Sequence, residues 1–135
     1  MIAIHVTNWS SRKLHGPGRK WTIMAAPRAW EHGEGRVEQL TPLLTDLQAV
    51  RDGSLGLAEY RNRFMREAER YALSPGRLLA MLPPAFETFQ RVQDGDTLCC
   101  ACSRAAAERG ECHRVWAAEL LHIAGWVVVL DGRTL

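Results

Sequence analysis

The feature that most constrains the fold is a strand, a helix and a second strand that follow one another closely in the last third of the chain. Residues 97–102 are β-favouring and largely apolar, and they follow the turn signal Asp94-Gly95-Asp96. Residues 112–124 carry apolar side chains at helical spacing up to Gly125, and residues 126–130 form an apolar strand. Two strands joined in this way are parallel, with a right-handed crossover. The pattern therefore predicts an α/β domain.

The first part of the chain adds two more strands to this expectation. Residues 2–7 are β-favouring and mostly apolar, as in a buried strand, and residues 21–25 form a second strand that Pro27 ends. Residues 8–20 lie between them and contain Ser, Gly and Pro. They predict a long loop, and loops of this length in compact domains are usually functional or disordered.

Amphipathic helices occupy the middle of the chain. Apolar residues recur at three- and four-residue steps over residues 37–50 and again over residues 57–71. The pair Thr41-Pro42 predicts the start of the first of these helices, with Thr41 as the cap. Further short helices are expected after Ser74-Pro75 and over residues 86–92.

Length and composition fit one globular domain over residues 1–135. Apolar residues make up 47% of the chain and charged residues 24%, which excludes a disordered tail. The formal net charge of +2 is too small to imply non-specific nucleic-acid binding over the whole surface. We therefore expect a small three-layer α/β domain, in which helices flank a short, mostly parallel sheet of three or four strands.

The chain carries no pattern that directs it to a membrane or out of the cell. It shows no secretory signal, and its longest apolar run, residues 123–130, is too short to cross a bilayer. We expect a cytoplasmic protein without a membrane partner. The four cysteines are then expected to be thiols or metal ligands rather than disulfides. The oligomeric state stays open.

The residues most suggestive of function lie at the two ends of one connection. Ligands of open parallel sheets bind beyond the carboxyl ends of the strands, where helices begin. Cys100 and Cys102 lie at that end of the predicted strand, and Cys112, His113 and Arg114 lie at the start of the helix that follows. We expect the two segments to meet in space and to form a site.

One interpretation of this site is catalytic. A helix start attracts anions, and Arg114 adds a planar fork suited to phosphate or carboxylate. Cys112 or Cys100 is then the reactive thiol, and His113 is the acid or base. The structural alternative is that the cysteines fill the core, His113 caps a carbonyl and Arg114 pairs with an acid.

A metal site is the second interpretation. Cys100 and Cys102, together with Cys112 and His113, supply four soft or borderline donors, enough for a tetrahedral zinc site whose cysteine ligands are Cys100, Cys102 and Cys112. The spacing differs from the usual Cys-x-x-Cys pattern, and the adjacent residues Cys112 and His113 seldom bind the same ion. Zinc is therefore the cofactor that the sequence leaves open, and the catalytic interpretation requires none.

The loop of residues 8–20 is the third candidate feature, because it interleaves cations with aromatic residues, as a surface that tracks phosphates and stacks bases does. We expect it to cover an anion site at the same edge of the sheet. The alternative is a solvated loop with one packed Trp. The residues expected to bind substrate are Arg12, Lys13, Arg19 and Lys20.

The ordered set of motifs resembles the uncharacterised domain-of-unknown-function family four-eight-eight. The run Leu98-Cys99-Cys100-Ala101-Cys102, then Cys112-His113-Arg114 and Ala118-Glu119-Leu120, matches an apolar strand ending in Cys and a Cys-His-Arg helix start. The likeness extends upstream to Leu40-Thr41-Pro42 and Leu57-Ala58-Glu59-Tyr60. It implies an α/β fold with Cys100, Cys112, His113 and Arg114 as matched positions, but no agreed activity. This chain departs from the family in having Cys102 in place of an acidic residue.

Our leading functional hypothesis is a domain that binds or acts on a phosphate-bearing nucleotide or nucleic acid at the Cys/His/Arg site. A base-directed reaction such as glycosidic-bond hydrolysis fits, and so does plain recognition. The alternative is a non-catalytic module, stabilised by zinc or thiols, that binds nucleic acid or another partner. The sequence leaves open whether the protein is an enzyme.

Overall fold

The computed structural model describes residues 3–69, 92–102 and 104–135. Single turns of 3₁₀ helix at Arg12–Leu14 and Glu38–Leu40 lie between the longer elements. The strands and helices are β1 (Ala3–Asn8), β2 (Lys20–Thr22), α1 (Leu44–Asp52), α2 (Leu57–Glu69), β3 (Thr97–Cys100), α3 (Arg104–Glu108), α4 (His113–Ile123), β4 (Val127–Leu130) and β5 (Arg133–Thr134).

The strands form one five-stranded sheet in the order β2-β3-β1-β4-β5. The first four strands are parallel, and the short β5 pairs antiparallel with β4. The predicted α/β fold with a mostly parallel sheet is therefore confirmed. Because β1 lies between β3 and β4, Val6 is paired with Leu98 on one side and Leu130 on the other. The two strands of the predicted strand–helix–strand unit, β3 and β4, are therefore parallel but not adjacent, because β1 lies between them.

One face of the sheet packs against helices α2 and α4. Alternate residues of the central strands, among them Val6, Leu98 and Val128, are fully buried in this core. Tyr60 of α2 contacts Trp116 of α4 edge-on, with ring centroids 5.3 Å apart. This aromatic contact joins α2 to α4 on this face of the sheet.

The opposite face is covered by residues 9–19. Gly16 donates its N–H to Thr97 Oγ1 at 2.8 Å, and Leu14 lies against Gly132. A side chain at position 16 would collide with the Gly95 carbonyl and the His5 ring, so the close approach of this segment requires glycine. The long loop is thus a packed layer of the domain.

Several element boundaries differ from the prediction. β2 ends at Thr22, and the first long helix begins at Leu44, because Thr41 donates its hydroxyl to the Val37 carbonyl and closes a 3₁₀ turn instead. The predicted helices after Ser74-Pro75 and over residues 86–92 lie outside the described residues. Within the described ranges, no helix is both long and apolar enough to span a bilayer.

Candidate functional site

The cysteines that we expected to meet do meet at the carboxyl edge of the sheet. β3 ends at Cys100, Cys102 follows two residues later, and Cys112 is the residue that precedes the first turn of α4. The three Sγ atoms all lie within 4.8 Å of one another, and those of Cys100 and Cys112 are 3.3 Å apart. The topology therefore brings three thiols from two segments into one cluster, which we call the thiol cluster.

The members of the thiol cluster differ in their access to solvent. Cys100 and Cys112 are fully buried, whereas Cys102 is partly exposed. Strand alternation turns the neighbouring Cys99 to the opposite face, where burial raises the pKa of its thiol to about 12. Cys99 is thus a core residue, and Cys102 forms the solvent side of the cluster.

Arg114 lies behind the thiol cluster and is fully buried. Its Nη1 donates to the Cys102 carbonyl at 2.7 Å and contacts the Cys100 sulfur at 3.3 Å. Its Nε and Nη2 donate to Asp131 Oδ2 at 3.3 and 3.1 Å. Asp131 in turn accepts the Thr7 hydroxyl at 2.8 Å. Every guanidinium nitrogen therefore has a partner within the protein.

This placement differs from the predicted role of Arg114 as the clamp for an external anion. Although burial opposes a positive charge, the sulfurs of Cys100 and Cys112 and the Asp131 carboxylate raise the pKa of Arg114. The guanidinium thus remains a cation, with the Asp131 carboxylate on one side and the sulfurs of the thiol cluster on the other. In this arrangement it supports the thiol cluster from beneath, and an anion in solvent cannot reach it.

His113 is bonded to the backbone of another segment. Its Nε2 lies 2.7 Å from the Ile23 carbonyl oxygen, and its ring packs beside Phe64. Because a carbonyl only accepts, Nε2 must carry the proton. Burial lowers the pKa of the imidazole, which is therefore neutral at pH 7. His113 thus caps a carbonyl, which was the structural alternative to its predicted acid–base role.

The pKa values of the Cys102 and Cys112 thiols are shifted in opposite directions. Hydrogen bonds from Cys100 and Cys112 lower the pKa of Cys102, and the Arg114 charge acts in the same direction. Hydrogen bonds with Cys100 and Cys102, together with burial, raise the pKa of Cys112. Cys102 is therefore the residue of the cluster that most readily carries a negative charge.

The basic loop does not gather over the thiol cluster as predicted. β2 runs parallel to β3, so residues 9–19 must return to the amino edge of the sheet before β2 begins. There the Arg19 amide donates to Asp96, and Lys20 is paired with Thr97. Arg19 and Lys20 are therefore separated from Cys100 by the length of β3.

The other two cations of the loop lie close to the end of β1. Arg12 and Lys13 are exposed on the 3₁₀ turn at Arg12–Leu14, whose last residue lies against Gly132. Arg19 and Lys20 are therefore not part of a flap over the cysteines, whereas the substrate-binding role of Arg12 and Lys13 stays a prediction.

Asp131, which holds the Arg114 guanidinium in place, was not among the site residues predicted from the sequence. This residue directly follows β4, so its backbone lies at the same carboxyl edge as the cysteines. It adopts a positive φ of 47°, and Gly132 follows with a φ of 83°. The signal that could have found it is the Asp-Gly turn after an apolar parallel strand, which places a carboxylate at that edge.

No family model matches the chain, and no curated protein or solved structure does either. The resemblance to the domain-of-unknown-function family therefore stays a prediction. What the chain can do chemically therefore follows from the geometry of the thiol cluster and of its surroundings.

Proposed function

We propose that this protein binds a zinc ion through the thiolates of Cys100, Cys102 and Cys112. The observation that carries the proposal is the separation of the three sulfurs, which all lie within 4.8 Å of one another. Zinc–sulfur bonds of about 2.3 Å in a tetrahedral site hold the ligand sulfurs about 3.8 Å apart. The cluster therefore requires only small side-chain movements to take up the ion.

The charges around the cluster support the same proposal. Three thiolates and one divalent cation carry a net charge of about −1, and Arg114 contacts two of the sulfurs with a buried positive charge. A guanidinium in this position stabilises the thiolate form that zinc requires. The Asp131 carboxylate holds the guanidinium in that orientation from the opposite side.

The donor set leaves one position open. His113 is hydrogen-bonded to the Ile23 carbonyl, and among the described residues the only group of metal-binding side chains found here is the three cysteines. Zinc sites with three protein ligands keep the fourth position for water or a substrate, as catalytic sites do. The partial exposure of Cys102 gives that position a route to solvent. The proposed site is therefore suited to bind an exogenous ligand.

The predicted nucleotide or nucleic-acid ligand is not part of this proposal. Its anion was expected at Arg114, whose nitrogens all have partners inside the protein. The predicted cytoplasmic location likewise stays a prediction.

Metal analysis of protein purified without chelator tests the proposal. We expect about one zinc per chain in the wild type, and loss of that zinc in the variant Cys102→Ser. Cys102 is the variant of choice because its side chain is partly exposed, so its replacement leaves the core packed. Cys99→Ala is the matched control, since it removes a thiol of the same strand from the opposite sheet face and should retain the zinc.

A folded wild type that neither retains zinc nor binds added zinc more tightly than Cys102→Ser contradicts the proposal. So does a stoichiometric metal other than zinc. Circular dichroism of each variant establishes that the comparison is made between folded proteins.

A further inference from the structure

A second feature of the carboxyl edge lies beside the thiol cluster, at the point where the connections leave the sheet in opposite directions. The connection after β1 crosses one face as residues 9–19, whereas the chain after β3 leads to α4 on the other face. β1 and β3 are neighbours in the sheet. In open parallel sheets, such a switch point opens a crevice in which ligands bind.

A cavity of about 160 Å³ lies at this switch point. Its walls come from the residues that directly follow the two strands and from the segment after β2. The lining residues are Trp9, Ser10, Arg28, Trp30, Glu31 and Ala101. Ala101 lies between Cys100 and Cys102 in the chain, so the cavity borders the thiol cluster without including its sulfurs.

Two side chains with polar groups at this cavity, Trp9 and Glu31, are buried. Trp9 is only 9% exposed, and its indole Nε1 is buried with no hydrogen-bond partner among the described residues. Glu31 is 2% exposed, and its Oε1 accepts the Arg28 amide at 3.0 Å. The Glu31 side chain therefore lies at the inner wall of the cavity, beside an indole N–H that no described residue accepts.

The Trp30 and Arg28 side chains at this cavity are largely exposed to solvent. Trp30 is 62% exposed, and the Arg28 side chain is 78% exposed, with its Nε 3.9 Å from Glu31 Oε1. An exposed indole is a stacking platform for a planar ring, and an exposed guanidinium at the rim can bind phosphate. The cavity therefore combines an aromatic face, a buried acid and a cation.

From these observations we propose that this cavity binds the base of a phosphate-bearing nucleotide. The base stacks on Trp30 and donates its N–H groups to Glu31, while Arg28 binds the phosphate. The same chemistry is offered by a free nucleotide and by a single-stranded nucleic acid. This proposal goes beyond the zinc site and does not depend on it.

Isothermal titration calorimetry of the full-length protein tests the proposal. The ligands are the four common nucleoside monophosphates, the corresponding nucleosides and a short single-stranded oligonucleotide of mixed sequence. We expect saturable binding of at least one monophosphate or of the oligonucleotide. Binding of monophosphates identifies a free nucleotide as the ligand, and binding of the oligonucleotide alone identifies a single strand.

Three variants at two positions separate the roles of the side chains. Trp30→Ala should weaken binding about tenfold or more, whereas Trp30→Phe should retain most of it, because stacking requires only an aromatic face. Arg28→Ala should weaken binding of the phosphate-bearing ligand and leave any nucleoside binding unchanged. The matched controls are Ile123→Ala, which removes a side chain from a residue that is 78% exposed elsewhere, and Arg51→Ala, which removes an exposed cation of α1.

The proposal is overturned if neither ligand class binds, or if Trp30→Ala and Arg28→Ala bind like the wild type. Cys102→Ser should bind the nucleotide like the wild type. Loss of zinc in that variant with retained nucleotide binding shows that the two proposals stand or fall separately.

Discussion

The two edges of the sheet each hold an acid beside an arginine, but the fully buried Asp96 and the partly exposed Asp131 are used differently. At the amino edge, Asp96 accepts the backbone amides of Arg19 and Gln93 and the indole N–H of Trp21, at 2.8 to 2.9 Å. The Arg19 guanidinium lies 3.7 Å from the same carboxylate and is partly exposed. At this edge the acid holds the backbone in place through its amides, and the arginine adds only a partly exposed ion pair.

At the carboxyl edge, one oxygen of Asp131 accepts two hydrogen bonds from the Arg114 guanidinium. That arginine is fully buried against the sulfurs. The comparison teaches that a carboxylate saturated by backbone amides serves the fold. A carboxylate that holds a buried cation against reactive side chains serves a site, because the cation is there to meet a charge on the other side.

The largest expected effect comes from Asp131→Asn. Asparagine tolerates the positive φ at this position, so the backbone is preserved while Arg114 loses its carboxylate. Leaving a buried cation unpaired should lower the free energy of unfolding by about 4 kcal/mol, measured by urea denaturation. Asp46→Asn is the matched control, because Asp46 is also mostly buried but pairs with the half-exposed Arg63. It should cost less than about 1 kcal/mol.

Zinc removal is the next largest expected effect. A ligand present at about 100 times its Kd stabilises the folded state by about 2.7 kcal/mol. Chelation should therefore lower the Tm of the wild type and leave that of Cys102→Ser unchanged, as followed by differential scanning calorimetry. An equal loss of Tm in both proteins would show that the chelator acts elsewhere in the chain.

Asp96→Asn should have a smaller effect of a different kind. The amide group keeps one acceptor oxygen, so at least one of the buried donors now held by the carboxylate loses its partner. We expect a cost of about 2 kcal/mol in unfolding free energy, with zinc content unchanged. A loss of zinc in this variant would break the distinction between the two edges.

Arg19→Ala is expected to have the smallest effect. Its guanidinium is partly exposed, lies 3.7 Å from Asp96 and stacks over Trp21 at 5.0 Å. Exposed pairs of this kind contribute less than about 1 kcal/mol. A urea midpoint close to that of the wild type is the expected result, whereas a cost similar to that of Asp131→Asn would make the two edges equivalent.

The parts of the structure that local sequence patterns determine were predictable. Apolar alternation and short connections located β3, α4 and β4, and the rule for parallel sheets predicted that Cys100 and Cys112 lie together. The position of β1 between β3 and β4 was not predictable in this way, because strand order depends on contacts between residues far apart in the chain.

The roles within the site were less accessible from sequence. Arg114 at a helix start favours an anion on local grounds, but Asp131 lies 17 residues away and reaches it through a turn with positive φ. His113 bonds to the Ile23 carbonyl across 90 residues. The path of the basic loop follows from the parallel direction of β2, which no local pattern indicates.

The buried guanidinium of Arg114 also has a consequence for how this sequence can change over evolution. Because it is buried and bonded to both the Cys102 carbonyl and the Asp131 carboxylate, it cannot turn to solvent when the sulfurs are lost. A descendant that replaces the cysteines with neutral residues keeps an uncompensated charge in its core. We therefore expect the cysteines, Arg114 and Asp131 to be inherited or discarded together, so that their joint variation among relatives would trace the history of the site.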